Sequence, residues 1–458
     1  MAGEHLDPSP LTWLGGERRL ARRVGRPVQR FLRIEAASGL LLIAATVVAL
    51  VWANSPWSES YVDLLHTHIT INFGDVLTLD ESIEHWINDA LMAIFFFVVG
   101  LEIKRELVTG ELRDPRAAAL PAVAAIGGMV VPALFFVVFN SGGPGADGWG
   151  IPMATDIAFA VGVVALLGNR VPSAMKVFLL TLAIVDDIGA IAVIAVFYTE
   201  DVSTPWLLAS LGISFVVVLM RIARIWYIPA YVLVGGFLWL AVFESGIHAT
   251  IAGVVLGLIT PARPLRDYSD VEGADPAEDP HVGAAIAGQA SASVVRRATF
   301  ELRERVSVAE RLQEVLHPFS SFLIIPVFAL ANAGIEISGD SISDAVRSDV
   351  TIGVIVGLVL GKLLGVSFFT WIAVKSGLSS LPRGATFVHV VGLAAIAGIG
   401  FTVSLFITNL AFDDAVVIEG AKLGILAASI LAAIIGMLVL SRANEVIEIE
   451  MEDAGSEL

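Results

Sequence analysis

The chain is 458 residues long, with 56% hydrophobic and 16% charged residues and a mean hydropathy of +0.81; this excludes an ordinary soluble domain and marks an integral membrane protein. With no cysteine, disulfides, thiol nucleophiles and zinc-thiolate sites are excluded too. The formal net charge of -17 names no charged partner, because the acids collect in loops, in residues 261–316 and in the solvated end MEDAGSEL.

The N-terminal GERRLARRVGRPVQRFLR has no small-residue cleavage site, and residues 1–35 read as a basic cytoplasmic tail. Crossing ~30 Å of hydrocarbon takes about 20 apolar residues in a helix. Twelve segments qualify: 36–53, 86–103, 117–139, 151–168, 173–198, 204–221, 227–243, 246–260, 318–336, 350–374, 385–411 and 418–440. Glu244, Ser245 and Gly246 only weakly divide the pair within 227–260. Residues 66–82, HTHITINFGDVLTLDES, alternate around a Gly-Asp pair, the pattern of an external hairpin or of an irregular loop. Residues 261–316 are polar and Pro-containing at first and helical in character from about 292, as for a long cytoplasmic loop leading into an amphipathic helix. The expectation is an all-α polytopic membrane protein: one twelve-helix domain over 36–440 and an acidic cytoplasmic tail over 441–458.

Lys and Arg in short loops should gather on one side of the membrane. The tail before residue 36 is Arg-rich, whereas 54–85 has neither Lys nor Arg but carries Glu59, Asp63, Asp75, Asp80, Glu81 and Glu84. Lys104, Arg105, Arg113 and Arg116 follow, and 140–150 again has none. Arg170 with Lys176, Arg221 with Arg224, the Arg-containing 261–316 segment, and Lys375 with Arg383 complete the basic face; Arg347 and Lys422 are the exceptions. An even number of spans with both termini cytoplasmic fits this alternation.

An ionisable side chain deep in a span costs at least about 2.5 kcal/mol, so each one asks for a partner or a function. Asp186 and Asp187 lie near the middle of 173–198. Lys362 lies near the middle of 350–374, too far from either end to snorkel easily; a purely structural cation is its bland reading. Asp156, a turn into its span, could be no more than a helix cap. Pro152 with Thr155-Asp156, and the glycine-rich AAIAGIGFTVSLF at 394–406, loosen the backbone of two spans. Close helix packing alone would account for Gly398 and Gly400. Interrupted spans, however, are tolerated where they line a cavity, and two of them in one chain are a transporter signal.

Two neighbouring carboxylates out of water disfavour holding both charges, and either protons or a bound cation relieve that cost. A hard monovalent cation such as Na+ suits carboxylate, hydroxyl and carbonyl oxygens. Because adjacent helix positions project about 100° apart, one aspartate should face Lys362 and the other the ion. Competing enzyme classes lack their motifs: there is no GxGD for an intramembrane aspartyl protease, no DDxxD for a prenyltransferase, and no GxxxxGK[ST].

The stretches WINDALMAIFFFVVGLEIKREL (86–107), AAIGGMVVPAL (124–134), IPMATDIAFAVGVVALLGNRVP (151–172), LAIVDDIGAIAVIAVFYT (182–199), SGIHATIAGVVLGLITP (245–261), HPFSSFLIIPVFALANAG (317–334), GKLLG (361–365) and GIGFTVSLFI (398–407) resemble the NhaA-type sodium/proton antiporters over nearly all of 33–440. The resemblance implies twelve helices, with inverted repeats at 117–198 and 350–440 whose discontinuous middle helices cross beside the ion site. It implies that Asp186 and Asp187 bind Na+ or Li+ and carry protons, that Thr155 and Asp156 belong to the crossing, and that Lys362 pairs with an aspartate. It further implies no cofactor, electrogenic exchange of two inward H+ for one outward Na+ or Li+, service to sodium and pH homeostasis, a bacterial inner (cytoplasmic) membrane setting, and a homodimer through 66–82. Asp89, Glu102, Glu106, His248 and His317 are the implied candidates for a cytoplasmic funnel or pH sensing, histidine titrating at about pH 6.5. The sequence departs from the family at RLQEVLHP (311–318), where Gln313-Glu314 stands in place of an acid followed by His. A sodium uniporter or channel, or a non-transporting regulatory homologue, would keep many of the same features.

Overall fold

The computed structural model describes residues 36–73, 77–199, 202–223, 225, 228–263, 291, 293, 306–382 and 384–443. The expected basic tail, nearly all of the acidic tail and most of 261–316 lie outside these residues. Among the described residues the chain is helical apart from one hairpin, and it divides into two compact units.

Of the described residues, the first unit takes those within 36–63, 120–187 and 321–443. Its helices begin where the sequence supplies caps. Asp414 accepts from Val416 N at 2.8 Å ahead of Ala415–Ser441, and Ser348 caps Asp349 onward. Ala36–Ala53 packs on Ile157–Leu166 and on Ile325–Asn332, and Ala415–Ser441 packs on Asp349–Val356 and on Phe387–Ile396.

The second unit takes the described residues within 64–119 and 188–320. Met92–Val108 packs along Thr250–Ile259 and against Val308–Phe319, and Thr204–Ile222 packs on Ile228–Phe243. Leu208, Leu211 and Phe215 lie on one face of Thr204–Ile222 and are 62%, 58% and 60% exposed, the mark of a helix side turned to lipid. Strands His68–Phe73 and Leu77–Ser82 pair antiparallel, with His68 opposite Ser82 and Phe73 opposite Leu77, so the hairpin alternative for 66–82 is the one that forms.

Among the described residues, eight helices are long and apolar enough to cross a membrane, or up to ten if each of two bent pairs is one span. The bent pairs are Ala37–Ala53 with Ser58–His66 at 112° and Phe387–Ile396 with Phe401–Ala411 at 46°. The region 227–260 divides in two as expected, but into shorter helices. Its two helices, Ile228–Phe243 and Thr250–Ile259, have only 16 and 10 residues, because the chain turns at 244–249 with Gly246 at φ +80. The amphipathic helix expected at the end of 261–316 is present over its described part: Ser307 accepts from Glu310 N at 3.1 Å and starts the helix Val308–Phe319, which continues through a π turn to Asn332. The short helices Ser58–His66 and Gly339–Arg347 were missed, being too brief and polar to stand out from their loops.

Candidate functional site

Lys362 follows a π turn, Gly357–Gly361, inside Asp349–Lys375. This helix lies against Pro115–Asn140 so closely that a Cβ on Gly361 would sit 2.6 Å from the Pro132 Cα. Glycine permits that approach, and the Lys362 side chain is thereby fully buried. Its Nζ donates to Asp186 Oδ2 at 2.5 Å and to Thr155 Oγ1 at 3.0 Å. Asp186 and Lys362 are both 0% exposed, so the ammonium and the carboxylate neutralise each other away from water. The Thr155 hydroxyl has one proton and two acceptors in reach, Asp186 Oδ2 at 2.9 Å and Ala397 O at 2.8 Å.

Which aspartate faces Lys362 was left open by the sequence; it is Asp186. Asp187, one position on and about 100° around the helix, is 6% exposed.

Asp156 ends an interruption. The chain is 3-10 helical over Ala146–Met153, extended at Ala154 and Asp156, and α-helical from Ile157 to Leu166. Asp156 Oδ1 accepts from Phe159 N at 2.9 Å, and Oδ2 accepts from Thr402 N at 3.0 Å and Thr402 Oγ1 at 2.7 Å. One carboxylate therefore caps two helix N-termini, Ile157–Leu166 and Phe401–Ala411, and opposes the positive end of each dipole. The helix-cap reading of Asp156 holds, in doubled form. Backbone and side-chain bonds lace the rest of the two interruptions: Asp156 N donates to Ile399 O at 2.7 Å, and Ser404 Oγ to Ile151 O at 2.7 Å. Gly398 and Gly400 sit in close packing here, since a Cβ on Gly400 would lie 2.9 Å from Leu358 Cδ2 and one on Gly398 would strike Leu358 O.

Thr155, Asp156, Asp186, Lys362, Gly398 and Gly400 thus come together around one buried seam. Thr402 and Ser404 belong to it as well and escaped sequence reasoning; their signal was two hydroxyls inside the apolar GIGFTVSLF. Among the described residues no three His, Cys, Asp or Glu side chains gather as for a metal cofactor. The carboxylates instead keep company with hydroxyl and carbonyl oxygens, a donor set that suits a hard monovalent ion as cargo.

The remaining candidates lie in the second unit and do not form one cluster. Asp89 sits in the π turn Trp86–Leu91, and its carbonyl accepts from Trp239 Nε1 at 3.2 Å. It lines a pocket with Leu79, Glu81, His85, Trp86, Trp239 and Phe243, beside the hairpin. Glu102 and Glu106 are 13 and 17 residues further along the same continuous helix, about 20 Å or more away at ~1.5 Å per residue. Asp89 therefore stands at the hairpin end of this helix, apart from Glu102 and Glu106. Glu106 Oε2 accepts from Glu111 N at 3.0 Å, and Oε1 lies 3.4 Å from Arg105 Nη2, so this carboxylate clamps the end of its helix. His248 Nε2 lies 2.6 Å from Tyr198 O, the geometry of a structural hydrogen bond, whereas His317 is exposed on Val308–Phe319.

Residues 29–440 match the family described as Na+/H+ antiporter 1. The chain belongs to this family. It is 46% identical to a Frankia alni protein named Na+/H+ antiporter NhaA 3, over 92% of this chain and 90% of that protein. It is 49% identical to the Na+/H+ antiporter NhaA of Rhodopirellula baltica, over 90% of this chain and 93% of that protein, and 48% identical to Na+/H+ antiporter NhaA 2 of Myxococcus xanthus, over 92% and 90%. The resemblance carried by the eight quoted stretches is borne out, and the relatives of this Na+/H+ antiporter family member bear transporter names rather than enzyme names.

Proposed function

We propose that the chain is a secondary active, electrogenic antiporter that expels one Na+ or Li+ for two inward H+, under pH control, in a bacterial inner membrane. The observation that carries this reading is the fully buried Asp186–Lys362 pair beside Asp187, at the seam of two interrupted helices. Asp186 and Asp187 hold either the cation or protons, because either kind of occupant relieves the cost of desolvated charge. Lys362 balances Asp186 while the pair is unloaded. Asp156, bound at both oxygens, fixes the two helix ends so that hydroxyls and carbonyls stay aimed at the seam. A site neutralised by either occupant can change sides, and exclusive occupancy couples the two flows.

This reading takes the membrane domain as twelve spans with both termini cytoplasmic, counting the short helices of 228–259 as two spans and the interrupted helices as a crossing pair. The basic residues alternate as that count requires. It takes Glu102, Glu106 and His317 as the cytoplasmic pH-responsive groups, leaves His248 as a positioning group, and takes the 66–82 hairpin as the contact between two copies.

The test is cation-induced dequenching of a pH dye in everted vesicles energised by respiration. Sodium or lithium should discharge the gradient, and correctly inserted Asp187→Asn protein should not respond. If the native protein responds to neither ion across pH 6.5 to 9, exchange is the wrong activity.

A further inference from the structure

One oxygen of the buried pair lacks a hydrogen bond. Asp186 Oδ2 takes the Lys362 ammonium, whereas Oδ1 is buried and receives no hydrogen bond from the described residues. A desolvated carboxylate oxygen is costly until something donates to it or is coordinated by it. Next to Oδ1 lies Gly128 of the helix Pro115–Asn140. A Cβ there would sit 3.8 Å from Asp186 Oδ1, 3.7 Å from Lys362 Cδ and 2.9 Å from Val366 Cγ2.

The neighbouring glycine has a different cause. A Cβ on Gly127 would strike the Gly365 carbonyl and lie 2.5 Å from Phe369 Cγ, so contact between the two helices demands glycine at 127. At 128 the tight neighbour is a valine methyl at the end of a side chain, and the backbone packing makes no such demand. What an added methyl would do at 128 is come into van der Waals contact with Asp186 Oδ1 and the Lys362 stem together.

We propose that Gly128 is a specificity-determining residue of the cation site: its missing side chain keeps Asp186 Oδ1 open and sets how large a cation the aspartate pair accepts. The inference rests on the exchange reading above and names the part of the chain that measures the ion. A methyl group at van der Waals distance from Oδ1 intrudes on the shell of a larger ion first. Li+ lies closer to its oxygen ligands than Na+ does, so it is displaced less.

The experiment compares half-saturating Na+ and Li+ in the dye assay for the native protein, Gly128→Ala and Gly128→Ala/Val366→Ala. The double variant removes the one tight contact and keeps the fold while leaving the new methyl over Oδ1. The expected result is an increase in the Na+ to Li+ ratio of half-saturating concentrations on the order of tenfold, the discrimination a site makes for about one methyl group. Both variants should show it. An unchanged ratio in both overturns the inference, as does an equal loss for the two ions. A ratio that returns to the native value on adding Val366→Ala also overturns it, because displaced packing would then be the cause. A native protein that answers to neither ion removes the exchange reading itself, and the selectivity role falls with it.

Discussion

Two seams in this protein bring helices into close contact by opposite means. Around 154–156 and 397–402 the helices are broken, and freed backbone groups are met by the side chains of Asp156, Thr155 and Ser404. Between Met92–Val108 and Thr250–Ile259 the helices are intact, and glycine alone does the work: a Cβ on Gly100 would sit 2.8 Å from Val254 O, and one on Gly253 would strike Ala93 O. An unbroken helix satisfies its own amides and needs only small residues to touch a neighbour, whereas a broken one must find a partner for each orphaned group. The first arrangement gathers carboxylate, hydroxyl and carbonyl oxygens in one place, whereas the second brings glycine against backbone.

The largest effect should come from Asp187→Asn, which removes cation-driven dequenching while the detergent-solubilised protein keeps its melting behaviour. Lys362→Met should destabilise by about 3–5 kcal/mol in thermal unfolding, because it strands a buried carboxylate; adding Asp186→Leu should recover most of that loss. If Lys362→Met melts like the native protein, the pair is not what holds the broken seam. Asp156→Ala removes caps from two helices at about 0.5–2 kcal/mol each, and Thr402→Val should cost about 1 kcal/mol of the same interaction. Both should lower exchange as well as stability. Gly253→Ala, in the intact seam, should cost about 1–3 kcal/mol by overpacking and leave half-saturating Na+ unchanged; a changed Na+ affinity would break the distinction between the seams. The smallest effect is expected for His66→Ala, which removes a 3.9 Å pair with Glu84 on the exposed hairpin and should shift stability by less than ~1 kcal/mol.

The sequence was legible wherever lipid imposes a rule of its own. Hydrocarbon thickness fixes how long an apolar run must be, so the helical segments could be read from composition, and the cost of buried charge singled out Asp186, Asp187 and Lys362 before any contact was known. What stayed illegible were the short helices Ser58–His66 and Gly339–Arg347, too brief and polar to stand out, whereas the turn at 244–249 and the helix after Ser307 lie where the pattern puts a division and an amphipathic helix.

By itself the sequence determined that the chain lives in a membrane, which family it resembles, and that two spans are interrupted near an acidic pair, because these follow from local composition and spacing. Tertiary structure alone decided that Asp186 rather than Asp187 takes Lys362, that Asp156 caps two helices through Thr402, and that Asp89 belongs with the hairpin rather than with Glu102. Each of these depends on helix rotation and on residues from 176 to 246 positions apart meeting within 3 Å, or on which end of a long helix a side chain occupies. Adjacent positions 100° apart are chemically identical in the sequence, and only the packed neighbour makes them different.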